Sequence, residues 1–315
     1  MGKNVDKIDI LLATYNGEKY IEEQLLSLQN QTYSDFTVYI SDDYSTDSTF
    51  EILTNFVKKD SRFKLVPRKK CGGACNNFLY LLSFSKGDFI MFCDQDDQWD
   101  RDKIRYSYMS LKQNTIKEDI PLLAYSDLKV VDQDLNTIDN SYFHYQCIQP
   151  NHTFKKLLTQ NCVTGCTMIF NKALKELTLK TKLNYDDIIM HDWWIAIICS
   201  FFGEVYLLDR VLINYRQHGN NSIGAQNSKS LSYILNKITS LSKIHNDIVK
   251  TQKQSLLFYK TFHNYNLHDK SNLMDYAYQY GLIQNKNKFQ RVCFYIKNHI
   301  RKNSFIKTIG WYIGG

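Results

Sequence analysis

The alternation of short apolar runs with segments of helical spacing constrains this chain more than any other feature. "IDILLAT" ends in a turn at "YNG", and "EKYIEEQLLSLQNQ" then sets Tyr20, Ile21, Leu25 and Leu28 along one side, as a helix would. "FTVYIS" reads as a second strand, and "STDSTFEILTNFVKK" as a helix opened by Ser, Thr and Asp cap chemistry. "FKLVP" is a third strand, "GGACNNFLYLLSFS" a helix, "DFIMFC" a fourth strand and "RDKIRYSYMSLKQ" the next helix. This order predicts an α/β fold built on a doubly wound, mostly parallel sheet, and the near-continuous apolar strands fit burial on both faces. Further on, "LLAYSDLKVVDQDLNTI" predicts a strand and a hairpin, and "CVTGCTMIFNKAL" a strand leading into a helix. "MHDWWIAIICSFFG" reads as helical, and "EVYLLDRVLINYRQHGNN" as two short strands with a polar exit. Beyond Gly224 the periodicity is helical throughout, which predicts a domain over 1–224 and a helical, basic C-terminal region over 225–315.

In sheets of this kind ligands gather outside the carboxyl ends of the strands. Three predicted strands deliver polar clusters to that edge: "TYNG", "SDDYSTD" and "DQDD". Asp94, Asp96 and Asp97 repel one another unless something positive joins them. On an extended segment Asp94 and Asp96 face the same way, and their hard oxygens suit Mg²⁺ or Mn²⁺ bridging to a diphosphate. Asp97, Asp100 and Asp102 also suit capping of the next helix. Asp43 can accept the imide N–H of uracil or thymine, or make an Asx turn, and Tyr15 can stack on a base. In "HDWW", Asp192 can act as a general base with Trp193 and Trp194 as a platform for a sugar face, or it can cap a helix that buries both rings. In "YRQHGNNSIG", His218 can ligate the metal and Arg216 can pair with phosphate, or the stretch is a polar loop.

The 315 residues, 43% hydrophobic, can bury the core of one large domain with an appendage. The formal charge of +7 is local: 276–315 carries seven Lys or Arg and no Asp or Glu, so the rest is neutral and no nucleic-acid partner is expected. There Phe289, Val292, Cys293, Ile296 and Ile300 share a helical face beside Lys288, Arg291, Lys297, Arg301 and Lys302, with Trp311 and Tyr312 beyond. That pattern fits an anionic membrane surface, a helix packed on its own domain, or a homodimer. The eight cysteines make no C-x-x-C pair, which points to free thiols in a reducing cytosol and away from zinc. No signal-length apolar region opens the chain, and no run approaches the roughly 20 apolar residues of a membrane span. The expectation is a cytoplasmic protein, peripheral at the inner face of the cell membrane.

Taken together, "LLATYNGEKYIEEQLLSLQNQTYSDFTVYISDDYSTDSTFEIL" and "DQDDQWDRDKI" resemble the family 2 glycosyltransferases with the GT-A fold, over about residues 8–224. "DQDDQW", "YSDLKVVDQDLN", "NCVTGCTMIFNKAL", "MHDWW" and "YRQHGNN" look like the bacterial rhamnosyltransferase branch of cell-wall and capsular polysaccharide synthesis. The resemblance implies that Asp94 and Asp96 hold the metal and the nucleotide diphosphate, with His218 nearby. It implies that Asp43 and Tyr15 take the base and that Asp192 is the catalytic base. Trp193, Trp194, Asp97 and Arg216 are left as candidates for sugar or acceptor contacts. One departure is His191, where many members carry Glu before the Asp. The implied reaction is inverting transfer of L-rhamnose from dTDP-β-L-rhamnose to a lipid-linked saccharide, with a UDP-hexose donor as the alternative. From other classes, a nucleotidyltransferase shares the sheet but needs a Gly-rich basic phosphate loop where this chain has "ATYNGEKY", and a non-catalytic carbohydrate-binding scaffold has no use for a crowded acidic cluster.

Overall fold

The computed structural model describes residues 6–114, 119–181, 187–219, 241–265, 268–303 and 305–314. At the centre of the main sheet β1 (Ile8–Thr14) runs parallel to β2 (Phe36–Asp42) on one side and to β4 (Phe89–Cys93) on the other. β3 (Phe63–Leu65) closes one edge beside β2. Across β4 the sheet continues through β9 (Ile169–Asn171), β6 (Leu122–Ser126) and β10 (Glu204–Leu208). β9 is antiparallel to both β4 and β6, and the other pairings are parallel. The strand predicted from "CVTGCTMIFNKAL" is thus confined to its last part, because Gly165–Thr167 coils into a 3₁₀ turn first. A smaller sheet in the order β5 (Gln98–Trp99), β11 (Ile213–Arg216), β7 (Lys129–Val131), β8 (Thr137–Asp139) lies beyond the end of β4.

The period-two pattern of β1 explains the layering. Ile8, Ile10 and Leu12 pack on one face against α1 (Ile21–Gln29), α2 (Thr49–Val57) and α4 (Lys103–Asn114), through Leu25, Leu53 and Ile104. Leu11 and Ala13 pack on the other face with α3 (Ala74–Leu82), α7 (Lys172–Lys180) and α8 (His191–Phe202), through Phe78, Leu174 and Ile198. Helices on both faces of a largely parallel sheet are the doubly wound arrangement that the sequence predicts.

α9 (Leu241–Phe262), α10 (Ser271–Leu282), α11 (Lys288–Lys297) and α12 (Phe305–Gly314) add a layer outside α8. Phe258, Tyr280, Tyr295 and Trp311 belong to the same apolar cluster as Trp194 and Phe201, so these helices share the core of the α8 face. The domain boundary expected near Gly224 lies outside the described residues.

Candidate active site

Strand register assembles the site. Thr14 lies level with Asp42, and Leu12 with Cys93, so β1, β2 and β4 end together at one edge of the sheet. The next residues of each chain segment, Tyr15, Asp43 and Asp94, line one cleft of about 690 Å³, and Asp96, Asp192 and Trp193 line it too. That size suits a ligand in the range of small-molecule pockets.

Asp43 is gripped by a loop. Its Oδ1 accepts from the backbone N–H of Cys71 and of Gly72 (3.1 Å), and its Oδ2 from that of Gly73 (2.8 Å). A carboxylate has about four acceptor positions, so one remains for a ligand donor. Gly72 at φ 77° and Gly73 at φ 136° adopt backbone conformations that only glycine takes cheaply, and this lets successive N–H groups converge on Asp43. Asp42 has a different task. It is buried and receives Arg68 through Nε at 2.9 Å and Nη2 at 2.6 Å.

The Tyr15 loop is held from two sides. Asn16, at φ 46°, donates its N–H to Ser45 Oγ (2.9 Å) and accepts from the Thr46 N–H (2.8 Å). From the acidic motif, Gln95 Oε1 accepts the Tyr15 N–H at 2.7 Å while Gln95 Nε2 donates to the Tyr15 carbonyl at 2.9 Å. This two-point clamp requires Gly17, because a Cβ there would lie 2.5 Å from Gln95 Oε1. Tyr15 itself keeps 54% of its surface exposed, free to take a stacking partner.

The carboxylates crowd as the sequence predicts. Burial, with the charges of Asp96 and Asp192 adding to it, pushes Asp94 up to about 7. Asp96 Oδ2 lies 2.9 Å from His218 Nε2. Asp97 is fully buried and outside the cleft lining; its Oδ1 accepts the Arg216 N–H at 3.1 Å, tying the acidic loop to β11. A sugar or acceptor contact for Asp97 therefore does not hold. Nor does one for Arg216, whose side chain is buried and spent internally. Its guanidinium donates to the Asp96 carbonyl (2.9 Å), the Gln133 carbonyl (2.5 Å) and Glu23 Oε2 (2.5 Å). Arg216 braces the acidic loop from behind.

Across the cleft Asp192 sits in the first turn of α8. Its Oδ2 accepts the Gly165 N–H at 2.9 Å and its Oδ1 the Trp193 N–H at 2.5 Å. Burial pushes its carboxyl up to about 6 although these N–H groups pull the other way. His191 is buried with its ring stacked 4.2 Å from Phe78 and edge-on to Phe92 at 4.7 Å. Burial drives its pKa down to about 3, so the ring is neutral, and neither ring nitrogen has a hydrogen-bond partner among the described residues.

The two tryptophans part company. Trp193 lines the cleft and donates Nε1 to the Leu157 carbonyl at 2.6 Å. Trp194, about 100° further round the helix, is fully buried near Phe258 and Phe262, with ring centroids at 6.2 and 6.5 Å. It belongs to the core and cannot be a sugar platform.

Residues 9–178 match the family described as Glycosyl transferase family 2. The chain belongs to that family. The dTDP-rhamnosyl transferase RfbG of Shigella flexneri is 32% identical over 236 residues, which is 70% of this chain and 76% of that protein. The UDP-Glc:alpha-D-GlcNAc-diphosphoundecaprenol beta-1,3-glucosyltransferase WfgD of Escherichia coli is 26% identical over 218 residues, 66% of this chain and 79% of that protein. Among solved structures, S. aureus TarS 1-349 in complex with UDP-GlcNAc aligns with a TM-score of 0.54 at 17% identity, covering 98% of this chain and 90% of that one. That likeness establishes the GT-A fold. The protein is a glycosyltransferase.

Glycosyltransferases of this fold typically use a divalent metal, and the residues present fit one. Asp94 and Asp96 face the cleft with His218 against Asp96, and a cation held there would relieve their mutual repulsion. Asp94, Asp97 and Cys166 also bring ligand atoms within 4.8 Å of one another, but Asp97 and Cys166 are shut away from the cleft and cannot reach a diphosphate.

Proposed function

We propose that this glycosyltransferase moves L-rhamnose from dTDP-β-L-rhamnose onto a lipid-linked saccharide with inversion at the anomeric carbon. The observation that supports the reading is one cleft with three kinds of side chain around it: Asp43 near the exposed ring of Tyr15, the crowded Asp94 and Asp96, and Asp192 with its raised pKa. Tyr15 stacks on the pyrimidine and Asp43 accepts its imide N–H. Asp94 and Asp96, with His218, are the residues that would hold Mg²⁺ or Mn²⁺, and a cation there supplies positive charge to the departing diphosphate. Asp192 takes the proton of an acceptor hydroxyl. The oxygen attacks the anomeric carbon from the face opposite the diphosphate, the old glycosidic bond breaks with its electron pair on the nucleoside diphosphate, and an α-L-rhamnoside results. Trp193 in the cleft wall offers a ring face to a sugar.

The similarity to RfbG favours the rhamnosyl donor, and the acceptor named for WfgD favours a lipid-linked diphosphate saccharide. A UDP-glucose donor is the second reading, favoured by WfgD itself. Both use the same cleft, because a single accepted N–H does not separate uracil from thymine. Release of nucleoside diphosphate with Mn²⁺ from dTDP-rhamnose, UDP-glucose, UDP-galactose and UDP-N-acetylglucosamine tests this. Release from dTDP-rhamnose alone supports the proposal, and release from a UDP-sugar alone overturns the donor.

A further inference from the structure

The charge imbalance of the chain comes together on α11 and its flanks. α11 turns Tyr295 inward, where it is fully buried, receives Gln252 Nε2 at 3.2 Å and stacks on Tyr312 of α12 with ring centroids 6.0 Å apart. Phe289, Cys293 and Ile296, spaced i, i+4, i+7, form the opposite row; Phe289 is 78% exposed and Ile296 56%. α12 repeats the arrangement, with Trp311 buried and Ile309 and Ile313 facing outward. The sequence groups Ile300 with the first row, yet the fold buries it, so the outward row is narrower than the periodicity alone suggests. Scattered exposed apolar residues are ordinary, but an apolar row along one helix with exposed basic residues beside it is a candidate interaction surface.

Lys286, Lys288, Lys297 and Arg301 are exposed around this surface, and 276–315 holds no acidic residue. Lys286 and Lys288 stand at the N-terminus of α11, where the helix dipole is already positive, so their placement works against the helix. The Asn287–Gln290 capping box holds that end in spite of them. An occupant that rewards this placement is anionic outside and apolar within. A second copy would set like charges against each other, whereas an anionic bilayer satisfies both requirements.

We propose that α11, with α12 beside it, seats the protein on an anionic phospholipid bilayer. Phe289 and Ile296 enter the boundary between headgroups and acyl chains, and Lys286, Lys288, Lys297 and Arg301 meet the headgroups. The proposal rests on the reading of a lipid-linked acceptor and deepens it. Lys302 Nζ donates to the Thr159 carbonyl and Lys156 Nζ to the Arg301 carbonyl, which fastens this region to α6 (Phe154–Leu157). The Leu157 carbonyl in turn receives Trp193 of the cleft wall. The seated surface and that wall are parts of one packed block.

Sedimentation of the full chain with phosphatidylcholine vesicles, with and without phosphatidylglycerol, tests this. The expected result is binding to the anionic vesicles only, weakened by added salt. Lys286→Gln with Lys288→Gln lowers the partition coefficient about fivefold per residue. Phe289→Ser with Ile296→Ser lowers it at least about tenfold. All four positions are exposed, so thermal stability and nucleoside diphosphate release by these variants stay at the wild-type level. Equal binding to neutral vesicles, or wild-type binding by the variants, overturns the proposal. So does a homodimer in light scattering that Phe289→Ser with Ile296→Ser dissolves, because the surface would then be a subunit interface. Vesicle binding is read without any sugar donor, so failure of the donor assignment leaves this test intact.

Discussion

Replacing Gln95 with Ala probes whether the acidic motif also organises the base pocket. The change leaves every carboxylate in place and removes both hydrogen bonds to the Tyr15 backbone, at 2.7 and 2.9 Å. Each such bond is worth about 0.5–1.5 kcal/mol net, and water can reach the freed groups because Tyr15 is half exposed, so about 1 kcal/mol of ordering is lost. Stacking of a base on an aromatic ring is worth about 1–3 kcal/mol, and it depends on the ring being held in position. The expected result is a fivefold to tenfold rise, as an order-of-magnitude estimate, in the Kd for dTDP or UDP by titration calorimetry with Mn²⁺. In a double-mutant cycle with Tyr15→Ala, most of the Gln95→Ala penalty should vanish, because its effect runs through Tyr15. Nucleotide affinity within twofold of wild type, or full additivity in the cycle, would refute the clamp.

Three further outcomes follow from the geometry. With the Asp192 carboxyl raised to about 6, it is protonated below that pH and cannot accept a proton, so kcat/KM should fall by at least about tenfold per unit below pH 6; a flat acid limb would remove Asp192 as the base. Arg216→Met strips three donors from a buried site and strands the Asp96 and Gln133 carbonyls, so urea denaturation should show a loss of about 2–4 kcal/mol with a raised metal requirement. Gly73→Ala forces a side chain into φ 136°, which should cost about 1–3 kcal/mol in thermal stability and weaken nucleotide binding by loosening the loop on Asp43.

The central strands and their polar ends are legible in the sequence because parallel, doubly buried strands carry continuous apolar runs, and Asp94, Asp43 and Tyr15 follow such runs directly. β9 is less so: three buried residues after a 3₁₀ turn leave no periodic signal, and strand direction is set by partners. The fates of Trp193 and Trp194 follow from helix geometry, since adjacent residues on a helix cannot share a face. What the composition of "HDWW" conceals is which ring faces inward, a matter settled by Phe258 and Phe262 of α9. Arg216 misleads for a similar reason. A cation in a polar stretch with His218 suggests phosphate, but its partners Glu23 and Gln133 come from distant segments. The Gln95 clamp and the N–H groups that grip Asp43 leave only indirect traces: Gly17, which makes room for Gln95, and the Gly72-Gly73 pair, which bends the loop.

The most direct test of glycosyl transfer in this cleft is Asp192→Asn, measured for turnover of dTDP-rhamnose with Mn²⁺ and, separately, for binding of dTDP. Loss of about 10²–10⁴-fold in kcat with unchanged nucleotide affinity is the predicted result, because Asn keeps the size of the side chain and removes the proton acceptor, giving up one of the two backbone N–H bonds that Asp192 accepts. Near wild-type turnover by a folded, nucleotide-binding Asp192→Asn protein would contradict it.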